Sequence, residues 1–568
     1  MRVRYGAFSV RAIAGSHTIL FGFDCTPDAA RGLLGFALGK RRESGRIDWL
    51  RGFKFFAETV PSPEPGERRS TREHPVQDFQ WGDYSCTPGE TYDYVVQPLY
   101  GHPAALEGGP QIEVRVAARS GQGDHAVFYN RGAIPSQAFA DSFGNEGPTE
   151  AEQNDPSNRK TRWLSRGLLE AALDFIGQAR GPGQALHVAA YEFTYPPIAE
   201  ALAAAAGRGA EVHLVYDAGE RKRDGTVVPN HTSGPNAALI AASGLDRQPS
   251  ARLYPRTRYG NITHNKFIIL SDAGHPAAVW TGSTNFTASG FLGQSNLAHR
   301  IVAPDLAAAF LAYWNLLAGD PGSRTLKRAI SLTSADPAAP LPENVILPVF
   351  SPRTDGMLDW YARAMSGASS SVMFTSAFGV AATLAEVFGR EADHLKLILA
   401  EREEADAERR ALLLRDRDTR VAVGARLNSE TIRLGLPGAS LDRWFRAEEH
   451  FRSKGHVFYI HTKFLGLDLL GEVPQIFTGS ANFSAGSVGS NDENMILMRG
   501  PDFTAQAETH AVEYMRLWNH LYFRTVALRR AARPSSRAHP AMLDPDDRWT
   551  ARHFRAGTYH DRMRQLFR

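Results

Sequence analysis

The sequence predicts an α/β protein in which two similar αβα-sandwich halves follow one another behind a β-rich, sandwich-like N-terminal domain. Three observations predict it. One set of chemically distinctive residues occurs twice at identical spacing, each occurrence follows an alternation of helical and extended segments, and the first 120 residues break into short β-like runs divided by turn residues. At 568 residues and 43% hydrophobic composition, the chain is long enough to bury more than one core.

In residues 1–120 the runs 18–23, 91–96 and 111–118 read as strands, and Pro61-Ser62-Pro63-Glu64-Pro65-Gly66 reads as a loop. Residues 121–155 read as a connector. The first half, 156–335, opens with a helix at 164–177, a buried strand at 186–191, an Ala-rich helix at 197–207 and a strand at 212–216. The second half, 336–525, repeats this order at 357–365, 372–376, 381–388 and 395–399. Helices near 305–317 and 503–521 close the halves, and the breaker-rich Ala335-Asp336-Pro337-Ala338-Ala339-Pro340 lies in the join at 326–347. Residues 401–410, dense in both charge signs, read as a solvent-facing helix. A basic tail, 526–568, ends the chain.

The repeated set is His264, Lys266, Gly282, Ser283, Asn285 and Phe286, which recurs as His461, Lys463, Gly479, Ser480, Asn482 and Phe483. The interval from His to Gly is 18 residues in both copies (264 to 282, 461 to 479). Apolar residues flank each His-x-Lys, so each reads as strand, and residues at i and i+2 of a strand share a face. The Gly-Ser turns that follow would add Ser283, Asn285, Ser480 and Asn482. Two imidazoles, two ammoniums, two hydroxyls and two carboxamides make a cationic, donor-rich pocket whose natural guest is a phosphate.

This constellation resembles the phospholipase D superfamily, with its duplicated His-x-Lys-x4-Asp followed by Gly-Ser-x-Asn, over roughly residues 160–525. Copy two fits throughout, Asp468 lying five residues after Lys463. Copy one has Ser271 at that position and Asp272 one place later, which reads as a changed turn. Members of the superfamily commonly carry, after the Gly-Ser-x-Asn turn, a Glu that accepts a hydrogen bond from the catalytic His. Copy two offers Glu493. In copy one, matching the Ser-Asn pairs puts Ala298 there and counting without gaps puts Asn296 there, and neither is a carboxylate. The expectation is that Glu493 orients His461 while His264 lacks an acidic partner.

The resemblance implies a phosphodiesterase that needs no metal or other cofactor. One histidine attacks phosphorus to form a phosphohistidine, and the other protonates the leaving alkoxide and then activates water or an acceptor alcohol. Lys266, Lys463, Ser283, Asn285, Ser480 and Asn482 are expected to hold the phosphoryl oxygens. Either histidine is compatible with the nucleophile's role, with His264 preferred because the N-terminal histidine often takes it in the superfamily. With both half-sites in one chain, a monomeric active site is expected.

Other apparent motifs are weaker. Gly35-Phe36-Ala37-Leu38-Gly39-Lys40 lacks a spacer residue and a Ser or Thr for a nucleotide loop, so it reads as strand or turn. Cys25 and Cys86 read as free thiols. No run of 18 apolar residues occurs and the first residues lack a signal peptide's apolar stretch, so a cytoplasmic protein, at most peripheral at a membrane, is expected.

The net charge of +3 is unevenly placed: residues 524–568 hold 11 Arg against 4 Asp. Residues 549, 554, 559, 563, 566 and 567 are apolar or aromatic, which fits a helix packed on the core; the competing reading is a surface for anionic lipid or nucleic acid. For substrate, a glycerophospholipid is preferred, since two half-sites in one chain are common in lipid-acting members. Nucleic acid is the alternative. A non-catalytic scaffold is the third reading, and the intact His and Lys pairs oppose it.

Overall fold

The apolar runs of the two halves become strands, most of them largely buried, and these assemble into two seven-stranded mixed sheets. The structure is a computed structural model and describes residues 1–63, 67–132, 139, 142–144, 146–223, 226–260, 262–353, 356–424, 459–531 and 542–568. Parts of the expected loop at 61–66, of the connector and of the tail, namely 64–66, 133–138, 140, 141, 145 and 532–541, lie outside the described residues.

Sheet one contains β1 (His125–Tyr129), β2 (Gln184–Ala190), β3 (Glu211–Asp217), β4 (Ala251–Arg256), β5 (Lys266–Asp272), β6 (His275–Gly282) and β7 (Leu297–Val302), in the order β1-β7-β6-β5-β2-β3-β4. Sheet two contains β8 (Val345–Ser351), β9 (Ser371–Ser376), β10 (Leu395–Ala400), β11 (Thr419–Val423), β12 (Phe464–Leu467), β13 (Gln475–Gly479) and β14 (Glu493–Arg499), in the order β8-β14-β13-β12-β9-β10-β11. The two sheets correspond strand for strand. In each, the three strands at one end run parallel and the remaining pairings are antiparallel. β1 falls inside the stretch expected to be a connector and forms the edge of sheet one.

Helices α1 (Leu168–Gly177) and α2 (Pro196–Gly207) cover the outer face of sheet one, and α4 (Met357–Ser366) and α5 (Ala382–Gly389) cover that of sheet two. Between the sheets lie α3 (Pro304–Ala318) and α6 (Thr504–Ala531), whose Phe310, Trp314, Met515 and Trp518 share one core with Phe267 and Ile269 of sheet one and Met373 and Leu397 of sheet two. Closing both sheets over common helices brings the ends of β5 and β12 together.

Local chemistry explains where elements depart from expectation. The helix expected over 164–177 breaks into Arg159–Ser165 and α1, because Arg166 (φ 53°) and Gly167 (φ 90°) adopt left-handed conformations. That turn aims the buried Arg166 guanidinium at Glu513 of α6 (2.7 Å) and at the Thr18 hydroxyl (2.9 Å), joining three parts of the chain. The helix expected at 401–410 is instead Ala407–Leu413, capped by Asp406, and Glu401 is fully buried.

In the N-terminal region a four-stranded and a five-stranded sheet pack on a shared core of Phe21, Phe23, Phe36, Val96 and Val114. Gly35–Arg41 is a strand of the second sheet, with Lys40 paired to Asp83 at 2.8 Å. Cys25 and Cys86 are free and buried. The tail completes this core: Trp549 enters it and its indole N–H bonds the Leu33 carbonyl at 2.8 Å. A short helix at Tyr559–Phe567 then carries Phe567 against Gly22, where a Cβ would lie 1.9 Å from the Phe567 carbonyl oxygen. Only glycine permits that approach. Arg562 pairs with Asp393 and Asp418, and Arg564 with Asp24 and Asp561. The packed-helix reading of the tail holds, although Gly557 (φ 69°) divides the expected single helix in two.

Candidate active site

Both His-x-Lys segments enter the site just ahead of their strands, because β5 starts at Lys266 and β12 at Phe464. The residues before them leave their own sheet and pair with the opposite half: Thr263 bridges Asp492, and Ile460 bridges Ser295. His264 N–H donates to the Asp492 carbonyl (2.8 Å), and Ser295 N–H donates to the Tyr459 carbonyl (2.8 Å). Each half therefore builds part of the other's site.

The side chains follow the same exchange. His264 Nδ1 lies 2.8 Å from Glu493 Oε2, and His461 Nδ1 lies 2.8 Å from Asn296 Oδ1. This corrects the expected assignment: Glu493 orients His264, not His461, and the partner of His461 is a carboxamide. The crossed strands are the reason, since a residue on β14 or ahead of β7 faces the histidine of the other half. Asn296 and Glu493 are counterparts, each lying 13 residues after its motif serine (283 to 296, 480 to 493). The ungapped count was the correct one.

The serines stand behind the imidazoles. Ser480 Oγ donates to Glu493 Oε2 (2.7 Å) and Ser283 Oγ donates to Asn296 Oδ1 (2.9 Å), so both hydroxyls are committed to the orienting residues and not to the pocket where phosphate oxygens were expected. Asn491 Nδ2 holds the other Glu493 oxygen at 3.0 Å. Asn296 Nδ2 donates to the Gly290 carbonyl (2.9 Å), which fixes the amide with its oxygen toward His461 and requires His461 to carry a proton on Nδ1. Lys266 and Lys463 each donate to the carbonyl of the preceding histidine, both at 2.6 Å. Asn285 Nδ2 donates to Glu192, while Asn285 Oδ1 and Asn482 Oδ1 have no partner.

All four basic groups are almost fully buried, and burial dominates their electrostatics. It pushes His264 and His461 far below the usual imidazole range, helped by the two ammoniums. It lowers Lys266 to about 7 against the attraction of Glu493 and Glu192, and it lowers Lys463 strongly, helped by Lys266. Glu493 moves the other way: burial lifts it to about 7, opposed by Lys266 and by bonds from Asn491 and Ser480. The His264–Glu493 pair thus holds one proton on its 2.8 Å contact, leaving Nε2 of His264 with a free lone pair.

Several supporting residues escaped the sequence reading. Glu401, at the end of β10, accepts the backbone N–H groups of Tyr459 (3.0 Å) and Ile460 (2.7 Å) and fixes the approach to His461. Asp217, the last residue of β3, occupies the matching place and accepts from Tyr259 (2.6 Å) and Asn230 (2.9 Å). Asp492 is tied to the buried Arg256 at 2.9 Å. Asp468, by contrast, belongs to the frame, accepting from the Ser369, Ser370 and Ser371 N–H groups at the start of β9. At the corresponding place Ser271 is buried beside a register shift and Asp272 is exposed. Among the described residues no group of three or more His, Cys, Asp or Glu is arranged to hold a metal ion.

The family model for the cardiolipin synthase, phospholipase D-like domain matches residues 173–316. A phospholipase D family member, Nuc from Salmonella typhimurium, is 31% identical over 27% of this chain and 86% of its own (TM-score 0.21). The chain belongs to the phospholipase D superfamily. Phosphatidylserine synthase from Haemophilus influenzae is 13% identical over 62% of this chain and 84% of its own (TM-score 0.39). Yeast tyrosyl-DNA phosphodiesterase is 14% identical over 58% of this chain and 86% of its own (TM-score 0.30). Among curated proteins none matches. As a phospholipase D superfamily protein the chain falls among phosphodiester-acting enzymes.

Proposed function

We propose that the protein is a phosphodiesterase of phospholipase D type that cleaves a glycerophospholipid at a single centre made by both halves. The observation that carries this is the exchange at the centre, where each imidazole is held by a residue of the opposite half. The phosphodiester anion, on binding, offsets the burial that lowers His461 and lets it take a second proton on Nε2. His264 Nε2 then attacks phosphorus, the bond to the departing alkoxide breaks, and His461 gives that alkoxide the Nε2 proton. A water then loses a proton to His461 and attacks, breaking the P–N bond and freeing His264. An acceptor alcohol in place of water would give transfer.

The unlike partners support this division of roles. A ring phosphorylated on Nε2 and protonated on Nδ1 is cationic, and the Glu493 carboxylate offsets that charge. Asn296 offers His461 a hydrogen bond and no charge, so its imidazolium is held loosely, as a proton donor requires. Lys266 and Lys463 supply the positive field for the phosphoryl oxygens, with the remaining N–H of Asn285 and the Asn482 amide beside them. Ser283 and Ser480 act through Asn296 and Glu493.

The preference for lipid over nucleic acid is supported by the tail: Arg562 and Arg564, counted among its basic excess, are spent on internal ion pairs. Purified protein given phosphatidylcholine, cardiolipin and single-stranded DNA in parallel, with excess chelator, tests the proposal. A released lipid head group is expected; shortened DNA with intact lipid would overturn the substrate class, and no turnover of any phosphodiester would overturn the proposal itself. His264→Ala and His461→Ala are each expected to slow turnover by at least about 10²-fold without loss of fold.

A further inference from the structure

Behind His264 stands a pair of opposite charges that the other half does not repeat. Arg256, the last residue of β4, reaches from sheet one to Asp492, the residue ahead of β14 in sheet two, with Nε 2.9 Å from Oδ2, and both side chains are fully buried. Its Nη1 meets Asp320, in the turn after α3, and the Pro321 carbonyl, each at 2.6 Å. A buried ion pair adds little net stability over apolar side chains of the same volume. Its position says more. The Asp492 carbonyl accepts the His264 N–H (2.8 Å), the Asp492 N–H donates to the Ile262 carbonyl (2.9 Å), and the next residue is Glu493, which holds His264 Nδ1. Fixing Asp492 therefore fixes both contacts of His264.

The strand register identifies the counterparts around His461. Asp217 lies opposite Arg256 across β3 and β4, and Ala400 lies opposite Val423 across β10 and β11, so Glu401, which matches Asp217, is level with Gly424. Gly424 thus stands where Arg256 does, and a Cβ there would lie 3.0 Å from that of Tyr459. Asp492 is matched by Ser295, each being one residue ahead of the group that orients a histidine. There the His461 N–H meets the Ser295 hydroxyl at 3.3 Å. The ion pair serves one histidine of the two.

Its charge also reaches the orienting acid. Arg256 is one positive charge between two negative ones, Asp492 and Asp320, so the group carries a net negative charge. The charge of Glu493 raises Asp492, and because that repulsion is mutual, Asp492 raises Glu493. Lys266, Lys463 and His264 face Glu493 as well, while Tyr191, Tyr313 and Tyr361 lie within its field as neutral phenols. Asp492 is faced in addition by the Thr263 hydroxyl, Tyr259 and Tyr313.

We propose that Arg256 and Asp492 are positioning residues for His264: they hold the two contacts that orient its ring, and their charge helps to set how readily the His264–Glu493 pair takes up protons. Neither touches the reacting phosphorus. This rests on the proposed phosphodiesterase activity with His264 as nucleophile.

The test is the pH profile of kcat/KM for bis(p-nitrophenyl) phosphate, with product read after quenching in base. The rate falls on the acid side as the pair gains a second proton and Nε2 loses its lone pair. Asp492→Asn keeps the carbonyl and removes the charge; it is expected to move that fall to lower pH by roughly half a pH unit and to lower kcat about tenfold, with KM within about twofold. Arg256→Gln combined with Asp492→Asn leaves Asp320 alone to carry the original net charge, and should return the fall to its original pH with kcat still low. Arg256→Lys, which keeps the charge and a donor, should retain most of kcat. Asp320→Asn, at a left-handed position (φ 45°) that Asn tolerates, should give a smaller move in the same direction and carries the test if Asp492→Asn does not fold. An acid limb unmoved in the Asn variants, or one that stays displaced in the double variant, would overturn the inference and leave the pair as a structural brace. Turnover by the unaltered protein with such a limb sinks this inference alone; no turnover of the ester by the unaltered protein sinks the phosphodiesterase reading with it.

Discussion

At the residue scale, the chemistry turns on how few protons four buried basic groups and one acid retain. Glu493 stands near 7 and takes up a proton as pH falls through that value, so the His264–Glu493 pair then holds two and Nε2 loses its lone pair. The acid limb of kcat/KM is therefore expected close to pH 7, and Glu493→Gln should move it to lower pH while lowering the maximum by about 10²-fold. Lys266, brought down to about 7 by burial, regains its proton when an anion binds. Titrating vanadate near pH 7.5 in buffers of different ionisation enthalpy should show net proton uptake; a buffer-independent enthalpy would refute it. The His, Lys, Ser and Asn residues of this centre were legible because they recur at fixed intervals. The partner of each histidine was not, because a one-dimensional count gives no sign that strands from opposite halves cross, and an Asn in place of a Glu breaks the chemical match.

At the element scale, a strand's start and a helix's break are decided by partners distant in sequence. The strands expected at 186–191, 212–216, 372–376 and 395–399 agree with the apolar runs to within a residue or two, since burial on both faces leaves a continuous hydrophobic signal, whereas the strands expected to carry the His-x-Lys pairs start only at Lys266 and Phe464. The break at Arg166 was invisible in sequence, because Leu164 and Leu168 continue a helical pattern and only the Glu513 contact requires the turn. The Asp468 clip illustrates the same dependence. Burial raises its carboxyl, but bonds from three N–H groups and the Ser370 hydroxyl more than offset this and hold it below the usual carboxylate range. Asp468→Asn is expected to cost about 2–3 kcal/mol in chemical denaturation and to leave KM unchanged. A large change in KM at full stability would place Asp468 in the site after all.

At the scale of the whole molecule, the turn before α1, α6 and the N-terminal region meet at Arg166, Glu513, Arg516 and Thr18. Burial costs both partners, lowering Arg166 to about 10, yet the two guanidiniums hold Glu513 at about 2. Its contribution is fully present above the unfolded carboxyl value near 4.5 and is lost as pH falls from there toward 2, about 3 kcal/mol in all. Glu513→Gln should flatten the acid limb of the stability profile, and an unchanged limb would contradict the assignment. No described helix is long and apolar enough to cross a membrane. The importance of the two His-x-Lys segments was legible from the duplicated motif, whereas the pairing of each with residues of the opposite half was not. The most direct test of the shared centre is mass spectrometry of protein quenched in base during turnover, reading the site and amount of phosphohistidine. One adduct per chain, confined to His264 and absent in His264→Ala, is the expected result; equal labelling of His461, or full turnover by His264→Ala, would contradict it.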